Sequence, residues 1–309
     1  MNLIELKSSL KGIIVPVTTP FKENSEVDFD SLGKLMEFYL KNNIRCFIAA
    51  GSTGQCYTLD KNEHRRIVGT IVDMCSDYED TFVLAACSHT STAVSNELAD
   101  ICQEEGADAL LLTPPYYRTH GDMCVVHFTD VGKNHDIPLI IYHDQIMPED
   151  ISLWDKFVSE PNILGVKFAT SNLYLARELI YKYRGRLAIY GGGSMLLYLP
   201  MALHGSTGYV GGYANFIPEI ENDFIYLVNE GRFEDAARIA ELEFDLFDNL
   251  SGNKNWFNLI VALINASGLP GGHCRKPLPD WEKSDMPRLK EFIKNIKIKH
   301  SKIRKQLFK

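Results

Sequence analysis

The 309 residues (35.0 kDa) carry 45% hydrophobic and 23% charged side chains, enough apolar material for a sizeable core, which excludes a disordered or fibrous chain. A formal charge of −8 and a pI near 5.6 argue against a general nucleic-acid or anionic-membrane binder, because attraction to polyphosphate needs clustered positive charge; a small-molecule partner fits better. Seven cysteines, odd in number and scattered without a CxxC pair, argue against a disulfide framework or a cysteine metal site and suit the reducing cytoplasm.

In chain order, the opening MNLIELKSSLKG lacks a continuous apolar stretch and a small-residue cleavage site, and no window approaches about 18 apolar residues. Cytoplasmic residence without membrane insertion is the expectation. Eight short apolar runs follow, at residues 12–17, 46–50, 82–86, 109–112, 139–142, 163–167, 187–190 and 207–210. Runs such as IIVPV, CFIAA, ALLL and PLIIY are nearly continuous in apolar side chains, as strands of a parallel sheet covered on both faces must be.

Between them lie segments of helical period. Asp30-Ser31 is predicted to cap a helix with Leu32, Leu35, Met36, Tyr39 and Leu40 on one stripe, and residues 91–103 and 122–131 have similar spacing. Beyond Pro218 the chain turns mostly helical, over 219–230, 233–249, 256–266 and 285–296. The basic run 294–309, with Ile296, Ile298, Ile303 and Leu307 among lysines, reads as a solvated amphipathic helix end or a loose tail.

Regular βα repetition predicts an α/β fold, a (β/α)8 TIM barrel with a C-terminal helical extension. No linker divides the chain, so residues 1–309 form a single domain, with the barrel core over 1–216 and the extension over 217–309. An open doubly wound sheet uses the same units, but eight even repeats favour closure and no GxGxxG opens the first helix.

In such a barrel the site is built where the strands end. Gly51-Ser52-Thr53-Gly54 follows the second run, Pro114-Pro115-Tyr116-Tyr117 the fourth, Tyr142 closes the fifth, Lys167 the sixth, and glycines 191–193 and 211–212 follow the last two. Lys167, in ILGVKFAT, sits at a depth where an ammonium is costly, so its amine is a candidate nucleophile; it could equally snorkel to solvent or pair with a carboxylate. Tyr142 fits a proton shuttle or a wall aromatic bonded to backbone. The GSTG turn can present amides and hydroxyls to a carboxylate or serve as a plain βα turn. The histidines, His89 and His120 among them, form no HxH or HExxH, so metal ligation is not expected.

Taken in order, GIIVPVTTPF, GSTG, TPPYY, PLIIY, GVKFAT, GYVGGYAN and HCRKPL around Arg275 resemble the dihydrodipicolinate synthase and N-acetylneuraminate lyase family. The resemblance implies a Schiff-base lyase: Lys167 condenses with pyruvate or a 2-oxo acid, Tyr142 is the acid–base phenol, and Ser52 relays its proton. Thr53 with Gly51, Gly54 and Gly211 would complete the substrate-binding surface. It implies that Tyr117 reaches a neighbouring subunit's site, hence a homo-oligomer, commonly a tetramer of two dimers. No metal or organic cofactor is implied, because the protonated imine is itself the electron sink.

Departures limit the substrate. The loop after Tyr142 reads His143-Asp144-Gln145-Ile146-Met147-Pro148-Glu149-Asp150, without the arginine that dihydrodipicolinate synthases use on the aldehyde's carboxylate, and Gly191-Gly192-Gly193-Ser194 replaces the Asp-Glu pair of sialic acid lyases. Gln55 stands where the family has glutamate. His143 and Asp144 either meet a hydroxylated second substrate or belong to a solvated loop. The expectation is a dihydrodipicolinate-synthase-like enzyme with an open aldehyde partner. A 2-keto-3-deoxy sugar-acid aldolase or dehydratase is the alternative, and outside that class stand a metal-dependent aldolase or a non-catalytic 2-oxo-acid-binding barrel.

Overall fold

A computed structural model describes residues 1–10, 12–117, 119–246 and 255–308. Eight parallel strands, β1 (Ile13–Pro16), β2 (Cys46–Ala49), β3 (Phe82–Ala86), β4 (Ala109–Leu112), β5 (Leu139–His143), β6 (Ile163–Phe168), β7 (Ala188–Gly192) and β8 (Gly208–Val210), pair in sequence order and close into a barrel. Closure is the register Ile13 with Tyr209 and Ile14 with Val210. The (β/α)8 expectation is thereby met, every predicted apolar run having become a strand.

Alternation along each strand divides the core in two. Ile14, Ile48, Leu84, Leu111 and Ile140 fill the barrel interior, while Val15, Phe47, Val83, Leu110 and Ile141 face the helices. Helix α1 (Leu3–Ser9), started by an Asn2–Glu5 capping box, closes the lower end of the barrel. Its Leu6, together with Leu10, is fully buried in the interior cluster; each contributes about 1.5–3 kcal/mol of apolar burial.

The outer helices are α2 (Phe29–Lys41), α3 (Lys61–Cys75), α4 (Thr92–Glu104), α5 (Gly121–Asn134), α6 (Ser152–Phe157), α7 (Leu173–Tyr183), α8 (Met195–Leu203) and α9 (Pro218–Asn229). The predicted cap of α2 is corrected. Asp28, not Asp30-Ser31, is the N-cap, accepting from the Ser31 amide at 3.1 Å, since only the earlier aspartate has a free helix end to cap. The stripe from Leu32 to Leu40 is buried as expected.

The helix expected over 233–249 breaks at Glu241 into α10 (Phe233–Ala240) and α11 (Leu242–Leu246); its predicted end at 247–249 lies outside the described residues. Helix α12 is Trp256–Ala266 and α13 is Met286–Leu307. The basic C-terminal run is neither loose nor merely solvated, because α13 extends through it. Ile296 and Leu307 are buried, and the buried Asp223 carboxylate accepts from His300 at 2.9 Å and Arg304 at 2.7 Å. The described helices include none long and apolar enough to cross a membrane.

Candidate active site

Register places the two central residues. Tyr142 on β5 pairs with Lys167 on β6, and Leu112 pairs with Ile141 one step below. Thr113, Tyr142 and Lys167 therefore stand at one level on three consecutive strands, all on the inward side. They meet in a cavity of about 240 Å3 at the C-terminal mouth of the barrel, where Ser52 and Thr53 supply hydroxyls and Trp256 and Phe257 form a wall.

The Lys167 ammonium lies 3.9 Å from the centroid of the Tyr142 ring. Burial pushes its pKa down to about 8, and the carboxylate of Asp144 opposes that shift only in part. Burial, reinforced by Asp144, also holds the Tyr142 phenol in its protonated form, well above its ordinary range. Gly192 explains how the lysine stem fits: a Cβ there would stand 3.1 Å from Lys167 Cε and 3.3 Å from Ala169 Cβ. The lysine neither snorkels to bulk solvent nor makes a salt bridge within 4 Å among the described residues.

Residues Ser52–Gly54 form a short 3-10 turn. The amides of Gly54 and Cys56 return to the Gly51 carbonyl at 3.0 and 3.2 Å, and that of Gln55 to the Ser52 carbonyl at 3.0 Å. Those bonds close the turn, so Gly54 shapes it without lining the cavity, and Gly51, Ser52 and Thr53 are the members that face it. A Cβ on Gly54 would meet the Val17 carbonyl and the Thr19 hydroxyl at 3.0 Å each. Gln55 turns away from the cavity, its side-chain oxygen accepting from the Arg275 amide at 3.1 Å. Arg275 in turn grips Glu63 through two 2.7 Å bonds. The HCRKPL segment thus braces the turn from behind.

Two sequence expectations, for His143 and Gly211, need correction. His143 does not meet a substrate: it is fully buried on the outer face of β5, stacked with Phe168 at 4.9 Å and Trp154 at 5.9 Å. Alternation forces this, since the residue after an inward Tyr142 must point outward. Gly211 likewise faces away from the cavity, because a Cβ there would fall 2.3 Å from the Glu221 carboxylate. Gly212 lines the cavity in its place, under Trp256. Tyr117 is 68% exposed on the loop after β4 and does not line the cavity of its own chain.

Sequence reasoning also missed three lining residues. Thr113 opens the TPPYY segment, and its hydroxyl is buried and has no partner among the described residues. Continuing the β4 alternation past Leu111 would have found it. Trp256 and Phe257 open α12, and Asn255 caps that helix by accepting from the Phe257 amide at 2.9 Å. No local pattern places that helix end over the barrel mouth.

A sequence profile of the dihydrodipicolinate synthetase family matches residues 9–296. The chain belongs to the dihydrodipicolinate synthetase family. It is 30% identical over 296 residues to the 4-hydroxy-tetrahydrodipicolinate synthase of Methanocaldococcus jannaschii, covering 93% of this chain and 98% of the relative. It is also 30% identical to that of a Sulfurihydrogenibium species, over 95% and 99% of the two chains. The crystal structure of the Aquifex aeolicus dihydrodipicolinate synthase superposes with a TM-score of 0.83 at 28% identity, over 92% and 97% of the chains. CdNal from Clostridium difficile, solved in complex with mannosamine, matches in fold at a TM-score of 0.85 and 21% identity, over 93% and 99%. As a member of the dihydrodipicolinate synthetase family the chain is a lyase of the class I aldolase type, as its ordered motifs implied.

Proposed function

We propose that this enzyme activates pyruvate, or a related 2-oxo acid, as an imine on Lys167 and joins it to, or releases it from, an aldehyde. The carrying observation is a desolvated lysine beside a protonated phenol in a cavity at the barrel mouth. With a pKa of about 8, roughly a tenth of the amine is free base at neutral pH, against well under a thousandth for an ordinary lysine.

Ser52 and Thr53 hold the substrate carboxylate, which leaves the keto carbon over Lys167. The amine attacks that carbon and forms a carbinolamine. The Tyr142 phenol, with Ser52 as its relay, delivers the proton with which the hydroxyl departs as water. The phenolate left on Tyr142 then takes a proton from the methyl carbon, which restores the phenol and gives the enamine that makes the carbon–carbon bond, and the reverse sequence cleaves it. The names of the synthase relatives support this reading, and the loop after Tyr142, lacking arginine, leaves the aldehyde partner open.

The test is borohydride reduction with pyruvate followed by peptide mass analysis. A pyruvyl adduct on Lys167, absent from Lys167→Ala, is the expected result; an adduct elsewhere, or none, overturns it.

We further place the protein in the cytoplasm, with all seven cysteines as free thiols, and as a homo-oligomer, commonly a tetramer. The exposed Tyr116 and Tyr117 beside the barrel mouth support an interface there. Light scattering that gives a monomeric mass for the active enzyme would remove the oligomer.

A further inference from the structure

The acceptor side of the cavity has its own chemistry. Thr113 offers a buried hydroxyl with no partner among the described residues, two strands from Lys167 and next to Tyr142. Trp256 and Phe257, both only half-buried, line the same cavity, together with the apolar Ile48 and Leu111. Among the described residues that line it, Lys167 is the one basic side chain, and in the enamine that meets the acceptor its nitrogen carries no charge.

The loop that follows Tyr142, residues 143–150, has three carboxylates and no lysine or arginine. One of these, Asp144, is partly buried and within electrostatic reach of Lys167. Asp144 does not itself line the cavity, but an acceptor carboxylate seated there would lie in its field with no arginine or second lysine among the described lining residues to pair with. Two half-buried aromatic side chains that line a cavity instead gain from covering an apolar group.

We propose that the acceptor is an uncharged aldehyde with an apolar remainder, seated with its carbonyl oxygen at Thr113 and Tyr142 and its remainder against Trp256 and Phe257. The inference rests on the imine reading above. In the forward step the enamine carbon attacks the aldehyde carbon, a carbon–carbon bond forms, and the aldehyde oxygen takes the Tyr142 proton. Water then hydrolyses the iminium and frees a 4-hydroxy-2-oxo acid and the lysine; no redox partner is needed.

The experiment compares initial rates of pyruvate condensation with benzaldehyde, succinic semialdehyde and glyceraldehyde, alongside borohydride trapping. Benzaldehyde should exceed both others in kcat/KM by about tenfold or more, the discrimination a single apolar pocket gives. Phe257→Ala and the milder Trp256→Leu should lower kcat/KM for benzaldehyde about tenfold more than for glyceraldehyde, a split that general damage to the fold does not produce. An adduct on Lys167 with the charged or hydroxylated aldehyde preferred, with no aldehyde accepted, or with equal losses in both variants, overturns this inference alone. Absence of the adduct overturns the imine reading and this one with it.

Discussion

The Lys167 ammonium sits 3.9 Å from the centre of the Tyr142 ring, held there by the pairing of the two residues across β5 and β6. The lysine is therefore stacked on the face of the phenol proposed to be its proton donor, and neither group can be displaced without disturbing the other. Their functions should nevertheless separate.

Tyr142→Phe keeps the ring under the lysine and removes only the proton. Turnover should fall by about 10²–10⁴, the usual share of a general acid–base group, while the KM for pyruvate moves by far less. Steady-state kinetics of the variant check this, and parallel losses in kcat and pyruvate binding would count against the phenol as a proton carrier.

Activity should rise with pH through about 8 as the Lys167 ammonium loses its proton. The same shift has a stability consequence. Between about 8 and the ordinary lysine value the unfolded chain binds more protons than the folded one, so stability grows as pH rises across that window. At pH 7 the buried cation is a burden, and Lys167→Met should raise stability by up to about 3 kcal/mol while abolishing activity. Denaturant melts at pH 7 and 10 should show most of the gain at the lower pH.

His143 is fully buried, its ring nitrogens lack partners among the described residues, and burial lowers its pKa to about 4. The folded state keeps it neutral while the unfolded chain protonates near 6.5, so its contribution is intact above that value and is lost as pH falls toward 4. His143→Phe should flatten acid denaturation in that window by up to about 3 kcal/mol, with kcat at neutral pH nearly unchanged. A large loss of kcat would return this residue to the site.

Gly211 and Glu221 make a testable pair. The buried Glu221 carboxylate accepts from Tyr209 at 3.0 Å and from the amides of Tyr213 and Ala214 at 3.1 and 2.8 Å, and it occupies the space a side chain at residue 211 would need. Gly211→Ala should destabilise by about 1–3 kcal/mol through overpacking. Combined with Glu221→Ala it should cost less than the sum of the single changes, a coupling that a double-mutant cycle in chemical denaturation would reveal.

Much of this was legible in the amino-acid order. The eight strands could be read because β-strands buried on both faces require uninterrupted apolar runs, and Lys167 and Tyr142 could be read because such runs end at the barrel mouth. His143 departs from expectation for a reason equally local: it extends β5 by one residue, and the two-residue alternation that points Tyr142 inward sends it outward. Strand periodicity and the strand-end rule are short-range properties, and they determined the barrel and its central pair.

What only the tertiary structure decided is long-range. That Gly212 rather than Gly211 faces the cavity depends on the buried carboxylate of α9, and that Trp256 and Phe257 line it depends on where α12 docks on the barrel. Neither is set by neighbouring residues, because side-chain direction beyond a strand end follows from whatever the rest of the chain packs against it.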